Sequence, residues 1–139
     1  MGVAELSAKR SKDPSTQVGA CIVDTRQRIV GVGYNGFPEG CSDEELPWGK
    51  EGDFLDVKYT YVAHAELNAV LNATTNLEGS TIYVGLFPCN ECAKVIIQSG
   101  IKEVVFKRDY YANKDIVTAS RIMFNMSGVK FRRYDESSK

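Results

Sequence analysis

The sequence predicts an α/β protein built on one mixed sheet, and three observations carry that expectation. Two apolar, β-branched stretches separated by a short polar turn read as an opening hairpin. Helix and strand patterns then alternate as α-β-α-β-α-β, which makes neighbouring strands parallel on one half of the sheet. The chain has 139 residues, 43% of them hydrophobic, which is enough for one domain with a proper core and too few for two ordinary ones.

Each element has its own signal. A short helix over residues 3–10 precedes the hairpin strands, 18–23 and 28–32. Residues 62–71 have helical spacing, with Ala65, Ala69 and Val70 joined by Leu67 and Leu71 on the apolar face. Residues 81–86 read as a strand, and 89–98 as a helix opened by Pro88 and closed by Gly100. A strand over 104–106, a helix over 115–126 ending near Gly128, and a last strand over 129–133 complete the order. Residues 35–58 show no period and hold Gly36, Pro38, Gly40, Pro47, Gly49 and Gly52. A loop this long inside a compact domain is usually functional. Residues 1–139 are expected to form a single domain, with 135–139 as a fraying polar tail. No internal repeat or low-complexity linker interrupts it.

Composition narrows the function. Charged residues make up 25% of the chain, a globular value, and the net charge is −1. A sequence-independent nucleic-acid binder would carry a basic face, so no polymeric nucleic acid is expected as partner. A small anionic substrate needs only a few local cations. No apolar run reaches membrane-spanning length and no secretory segment opens the chain. Four cysteines could form two disulfides, but a Cys-x-x-Cys with a distant histidine fits a reducing compartment and a metal better, and the cytoplasm is the expected location.

The chemistry lies in two short motifs. The only histidine opens His64-Ala65-Glu66, and Pro88-Cys89-Asn90-Glu91-Cys92 follows later in the chain. Three borderline-soft ligands leave a fourth position on Zn²⁺ for water, whereas structural zinc is closed by four. H-x-E with P-C-x-x-C is the signature of zinc-dependent nucleobase deaminases. Residues two apart on a continuous helix point in nearly opposite directions, so His64 and Glu66 converge only if His64 lies in the first turn or just before it. Cys89 and Cys92 fall in a first turn, where the helix dipole and free N–H groups favour thiolates. Glu66, which need not bind metal, is placed to take a proton from water and deliver protons to a ring nitrogen and a departing amine. The competing readings are inert buried thiols beside a core histidine, or a structural site that recruits Cys21 or Cys41. Cys21 lies in an apolar strand, where it reads as a small hydrophobe.

Longer segments carry a resemblance. Ser11-Lys12-Asp13-Pro14-Ser15-Thr16-Gln17-Val18-Gly19-Ala20-Cys21, Gly33-Tyr34-Asn35-Gly36, His64-Ala65-Glu66-Leu67-Asn68-Ala69 and Phe87-Pro88-Cys89-Asn90-Glu91-Cys92-Ala93 resemble deoxycytidylate deaminases of the cytidine deaminase superfamily. The likeness spans residues 7–133 and is nearer to eukaryotic and eukaryote-infecting viral members than to the longer bacteriophage form. The first helix looks clipped, with Met1-Gly2 standing where the family carries more residues. The resemblance implies a three-layer α-β-α fold with a five-stranded mixed sheet and helices on both faces. It further implies hydrolysis of dCMP to dUMP with release of ammonia, supplying dUMP for thymidylate synthesis. His64, Cys89 and Cys92 would hold zinc and Glu66 would shuttle protons. The Ala65 N–H would bind the pyrimidine O2, the Phe87 carbonyl would receive the amine, Asn35 would anchor the sugar and Tyr111 would line the ring. Lys12, Arg10 or Arg108 could reach the phosphate. A homohexamer activated by dCTP and inhibited by dTTP is also implied, with Mg²⁺ on the triphosphate. Its regulatory site would use Gly33, Tyr34, Asn35 and Gly36, the glycines allowing close approach and positive φ. Rival readings are a free-nucleoside cytidine deaminase, a tRNA adenosine deaminase, and a zinc-stabilised binding module without activity.

Overall fold

Five strands form one sheet in the order β2-β1-β3-β4-β5, with ranges β1 Gly19–Val23, β2 Ile29–Tyr34, β3 Thr81–Leu86, β4 Glu103–Arg108 and β5 Lys130–Arg133. The computed structural model describes residues 1–135, so residues 136–139 of the expected polar tail lie outside the described residues. β1 pairs antiparallel with both β2 and β3, while β3–β4 and β4–β5 are parallel. This is the mixed sheet expected from a hairpin followed by α/β crossovers. The turn between β1 and β2 is set by Asp24, whose carboxylate accepts from the Arg26 and Arg28 N–H groups. Gln27 takes the turn's positive φ of 65°.

Alternation along the strands sends successive residues to opposite faces. Ala20, Ile22, Ile82, Val84, Val104 and Phe106 meet Ala65 and Ala69 of α2 (Ala65–Asn72), Ala93 and Ile96 of α3 (Asn90–Gln98), and Val117 and Phe124 of α4 (Asp115–Ser127). On the other face Cys21, Val23, Val32 and Tyr83 pack with Met1 and with Ala4 of α1 (Gly2–Ala8). The layers are therefore α1, the sheet, and α2–α4. Helix α4 ends where Gly128 adopts a left-handed conformation, φ 78°.

Two boundaries differ from expectation in a way that shapes the site. Helix α2 starts at Ala65 rather than at residue 62, because Val62 closes a turn onto the Lys58 carbonyl and Ala63 bridges to Gly36. Helix α3 starts at Asn90, with Cys89 as its extended N-cap. The aperiodic loop also holds structure: single 3₁₀ turns at Phe54–Asp56 and Lys58–Thr60, and Trp48 stacked at 4.1 Å on Phe37. No helix among the described residues is long and apolar enough to cross a membrane.

Candidate metal centre and its pocket

The sheet brings the motifs to one edge. Strands β2, β3 and β4 run in one direction, so the residues that follow them (Asn35, Phe87 to Cys89, and Asp109 to Tyr111) emerge together. β1 runs the opposite way, so the residues that precede it, Asp13 to Val18, start from that same edge. Ligands in open α/β sheets bind outside the carboxyl ends of the strands. Helix α2 is pressed onto edge strand β2, where a Cβ on Gly33 would fall 2.3 Å from the Ala69 nitrogen and 2.6 Å from the Ala65 carbonyl oxygen. Asn68 and Asn72 donate to the Tyr34 and Val32 carbonyls and fix the helix along the strand.

His64 and Cys89 are the extended N-caps of α2 and α3, so two helix N-termini face one point. His64 Nδ1 lies 3.3 Å from Cys92 Sγ and 3.5 Å from Cys89 Sγ, and the three ligand atoms all fall within 4.8 Å of one another. Zinc bonds of about 2.0–2.1 Å to nitrogen and about 2.3 Å to sulfur at tetrahedral angles set N···S separations of roughly 3.5 Å. The three side chains therefore fit the ion. All four cysteines are free thiols, and Cys21 and Cys41 stand apart from the cluster.

The protons of the cluster are unevenly held. The hydrogen bond from Cys92, with help from His64 and against burial, pulls Cys89 down to about 4. The Cys89 thiolate and burial push Cys92 far above the usual thiol range. His64 is raised, first by its bond to Cys89, with burial opposing. A bound cation would favour the thiolate form of both cysteines, because metal ligation requires deprotonated sulfur. Glu66, the second residue of α2, is only 5% exposed. Burial pushes its carboxyl up to about 7 against the pull of His64, with the Cys89 thiolate adding to the rise. A carboxyl raised by burial toward neutrality can both accept and donate a proton.

A cavity of about 470 Å³ opens onto His64, Glu66 and Cys89. Ala65, Phe87, Asn35 and Tyr111 are among the residues that line it. Asn35 is buried, accepts from the Val18 N–H at 2.9 Å and donates to the Thr16 carbonyl at 2.9 Å. The three cations suggested for a phosphate do not line the cavity. Lys12 is exposed, Arg10 lies 5.4 Å over the Tyr34 ring, and Arg108 is an exposed residue at the end of β4. The cavity's cations are instead Lys50, Lys58 and Lys114. Gly33, Tyr34 and Gly36 lie outside it, and neither glycine has positive φ. Gly33 serves the approach of α2, and Gly36 exchanges backbone hydrogen bonds with Ala63.

Lys58 was not legible in the sequence. Its ammonium donates to Asp13 at 2.6 Å in a pair that is almost wholly buried, and both residues line the cavity. Asp13 also accepts from the Ser15 and Thr16 N–H groups, the Asx turn that Asp-Pro-Ser-Thr encodes. Burial works against the Asp13 charge, yet Lys58 and those two amides outweigh it and hold the carboxyl below its usual range.

Residues 1–108 match the family model of the cytidine and deoxycytidylate deaminase zinc-binding region. The chain therefore belongs to the cytidine and deoxycytidylate deaminase family. Within it, the deoxycytidylate deaminase of Homo sapiens is 60% identical over 136 residues, covering 96% of this chain and 76% of that protein. A probable deoxycytidylate deaminase of Drosophila melanogaster is 52% identical over 146 residues, covering all of this chain and 72% of its own. The crystal structure of dCMP deaminase from the cyanophage S-TIM5 in complex with dCMP and dUMP superposes with a TM-score of 0.75 at 26% identity, covering 96% of this chain and 92% of that one.

Proposed function

We propose that this protein hydrolyses dCMP to dUMP and ammonia, with zinc held by His64, Cys89 and Cys92. The observation that carries the reading is Glu66, a buried non-ligand carboxyl that shares the cavity with the cluster. A purely structural metal site has no need of it. When bound, zinc lowers the pKa of water and so supplies a nucleophile at neutral pH. Glu66 accepts the proton that water gives up as its oxygen adds to C4 of the pyrimidine, and passes it to N3. It then takes the proton of the new C4 hydroxyl and carries it to the amine as the C4–N bond breaks, leaving a carbonyl at C4 and free ammonia. The N–H of Ala65, first in α2, has no helical acceptor and is free to bind O2 of the base. The Phe87 carbonyl takes the amine and Tyr111 flanks the ring. Asn35 keeps one N–H and one lone pair for a sugar hydroxyl after its two backbone bonds.

The phosphate belongs to Lys50 and Lys114. Lys58 is neutralised by Asp13, whereas Lys50 and Lys114 have no ion-pair partner among the described residues and line the same cavity. Regulation by dCTP·Mg²⁺ and dTTP in a homohexamer, with the Gly33 to Gly36 turn at the effector site, rests on the family resemblance alone. It would be read as sigmoidal kinetics that dCTP makes hyperbolic, alongside the mass of the assembly. Cytoplasmic residence, where the four thiols stay reduced, and delivery of dUMP to thymidylate synthesis rest on that resemblance and on thiol chemistry.

The deciding experiment is absorbance loss with dCMP, deoxycytidine and adenosine, alongside metal analysis of wild type and Glu66→Ala. The expected result is one zinc per chain in both proteins, turnover of dCMP by wild type, and a loss of about 10²- to 10⁴-fold in the variant. A zinc-free wild type with full activity, or a variant as active as wild type, would sink the mechanism.

A further inference from the structure

Helix α4 contributes a residue that the proposed reaction does not use directly. The Arg121 guanidinium forms an ion pair with Asp109, donates to the Ala112 carbonyl at 3.3 Å, and lies 4.9 Å over the Phe87 ring. One side chain thus joins the loop after β4 to the loop after β3. The first loop brings Tyr111 and Lys114 to the cavity, and the second brings Phe87, two residues before the ligand Cys89. The neighbouring Ser120 donates to the Pro88 carbonyl at 2.9 Å, and Phe87 is held edge-on by Phe106 and Phe131.

Stability alone does not account for this arrangement. The Asp109 side chain is 7% exposed, and its Oδ1 is buried without a hydrogen-bond partner among the described residues. A half-satisfied buried carboxylate costs free energy, and a buried ion pair is often no better than an apolar replacement. What the pair supplies is fixed geometry. Arginine donates to two acceptors from one plane and stacks that plane on an aromatic ring, which the point charge of a lysine cannot do.

We propose that Arg121 is a positioning residue which, through Asp109 and Ala112, sets Tyr111 against the substrate ring. This inference rests on the proposed deamination of dCMP. Arg121 touches no reacting atom, so its removal acts by freeing Tyr111. Misplacing a substrate-orienting group by about 1 Å can cost on the order of 10²-fold in rate.

The experiment is a double-mutant cycle of Arg121→Ala and Tyr111→Ala, read in kcat/KM for dCMP and, without turnover, in calorimetric affinity for dUMP. Zinc content and thermal midpoint are measured on every variant. Each single variant should lose about 10- to 100-fold in kcat/KM while keeping one zinc per chain. The double variant should lose no more than Tyr111→Ala alone, because Arg121 works only through Tyr111. Arg121→Lys should not restore the loss, lacking the planar fork. Should Arg121→Ala fold poorly, Asp109→Asn replaces it in the cycle with the same expectation. Losses that multiply, or an Arg121 variant as active as wild type with its zinc intact, would overturn the proposal. Wild-type turnover of dCMP separately tests the activity on which it rests.

Discussion

At the scale of single residues, the site is a set of charges that only their neighbours make tolerable. Burial raises the Glu66 carboxyl well above its usual range, while Asp13, just as buried, is held below it because Lys58 and two amides face it. The second case has a consequence for stability. Removing one partner of a buried pair leaves the other charge uncompensated, at a cost of about 3–5 kcal/mol. Asp13→Asn should therefore destabilise the protein strongly at pH 7. The Asp13 carboxyl titrates lower folded than unfolded, so the unfolded chain binds its proton first as pH falls. The stability it contributes is complete above the unfolded value of 3.8 and is lost as pH drops through the lower folded value. Urea unfolding of wild type and Asp13→Asn between pH 3 and 8 should show a constant gap above about pH 5 that narrows below about pH 4. A gap that does not change down to pH 3 would mean that the loss in Asp13→Asn does not come from the ionised carboxylate.

At the scale of elements, the ligands are placed by where helices begin and how closely they lie on strands. The starts of α2 and α3 put His64 and Cys89 at N-caps, and this is why residues two apart, His64 and Glu66, reach one cavity. The motif spacing in the sequence already required it. What a single sequence does not reveal is which face of β2 meets a helix. Gly33 therefore read as a glycine for phosphate approach or positive φ, when it is the point where α2 rests on β2. Lys50, Lys58 and Lys114 escaped for a related reason: they lie in the long loop, in a single 3₁₀ turn and at a helix cap, where no periodicity says which cation turns inward. The ligands were legible because the local spacing of their two motifs fixes them. Gly33→Ala should force α2 away and with it His64 and Glu66, costing about 1–3 kcal/mol and weakening zinc retention. Gly36→Ala meets nothing within 4 Å and should stay within about 0.5 kcal/mol of wild type. Denaturant midpoints and zinc retention against a chelator compare the two, and equal behaviour would refute the packing account.

At the scale of the whole molecule, charge is spent locally. The net charge of −1 gives no general attraction for polyanions, so preference for a monophosphate must come from the few cations facing the cavity. Of the three lysines there, Lys58 is already committed to Asp13, which leaves Lys50 from the long loop and Lys114 at the start of α4. They come from separate elements, and a phosphate bound between them would be recognised only in the folded cavity. A hydrogen bond to a charged group contributes about 1.5–3 kcal/mol, so each lysine should account for roughly 10- to 150-fold in kcat/KM for dCMP. Deoxycytidine lacks the phosphate and should lose almost nothing. Lys50→Ala and Lys114→Ala should therefore lower the dCMP-to-deoxycytidine preference singly, and together reduce it most. Added salt should weaken dCMP binding to wild type more than to the double variant, because exposed charges are screened. If both substrates slow in parallel, the lysines shape the cavity rather than read the phosphate. If neither changes, the phosphate is held by residues outside this pair.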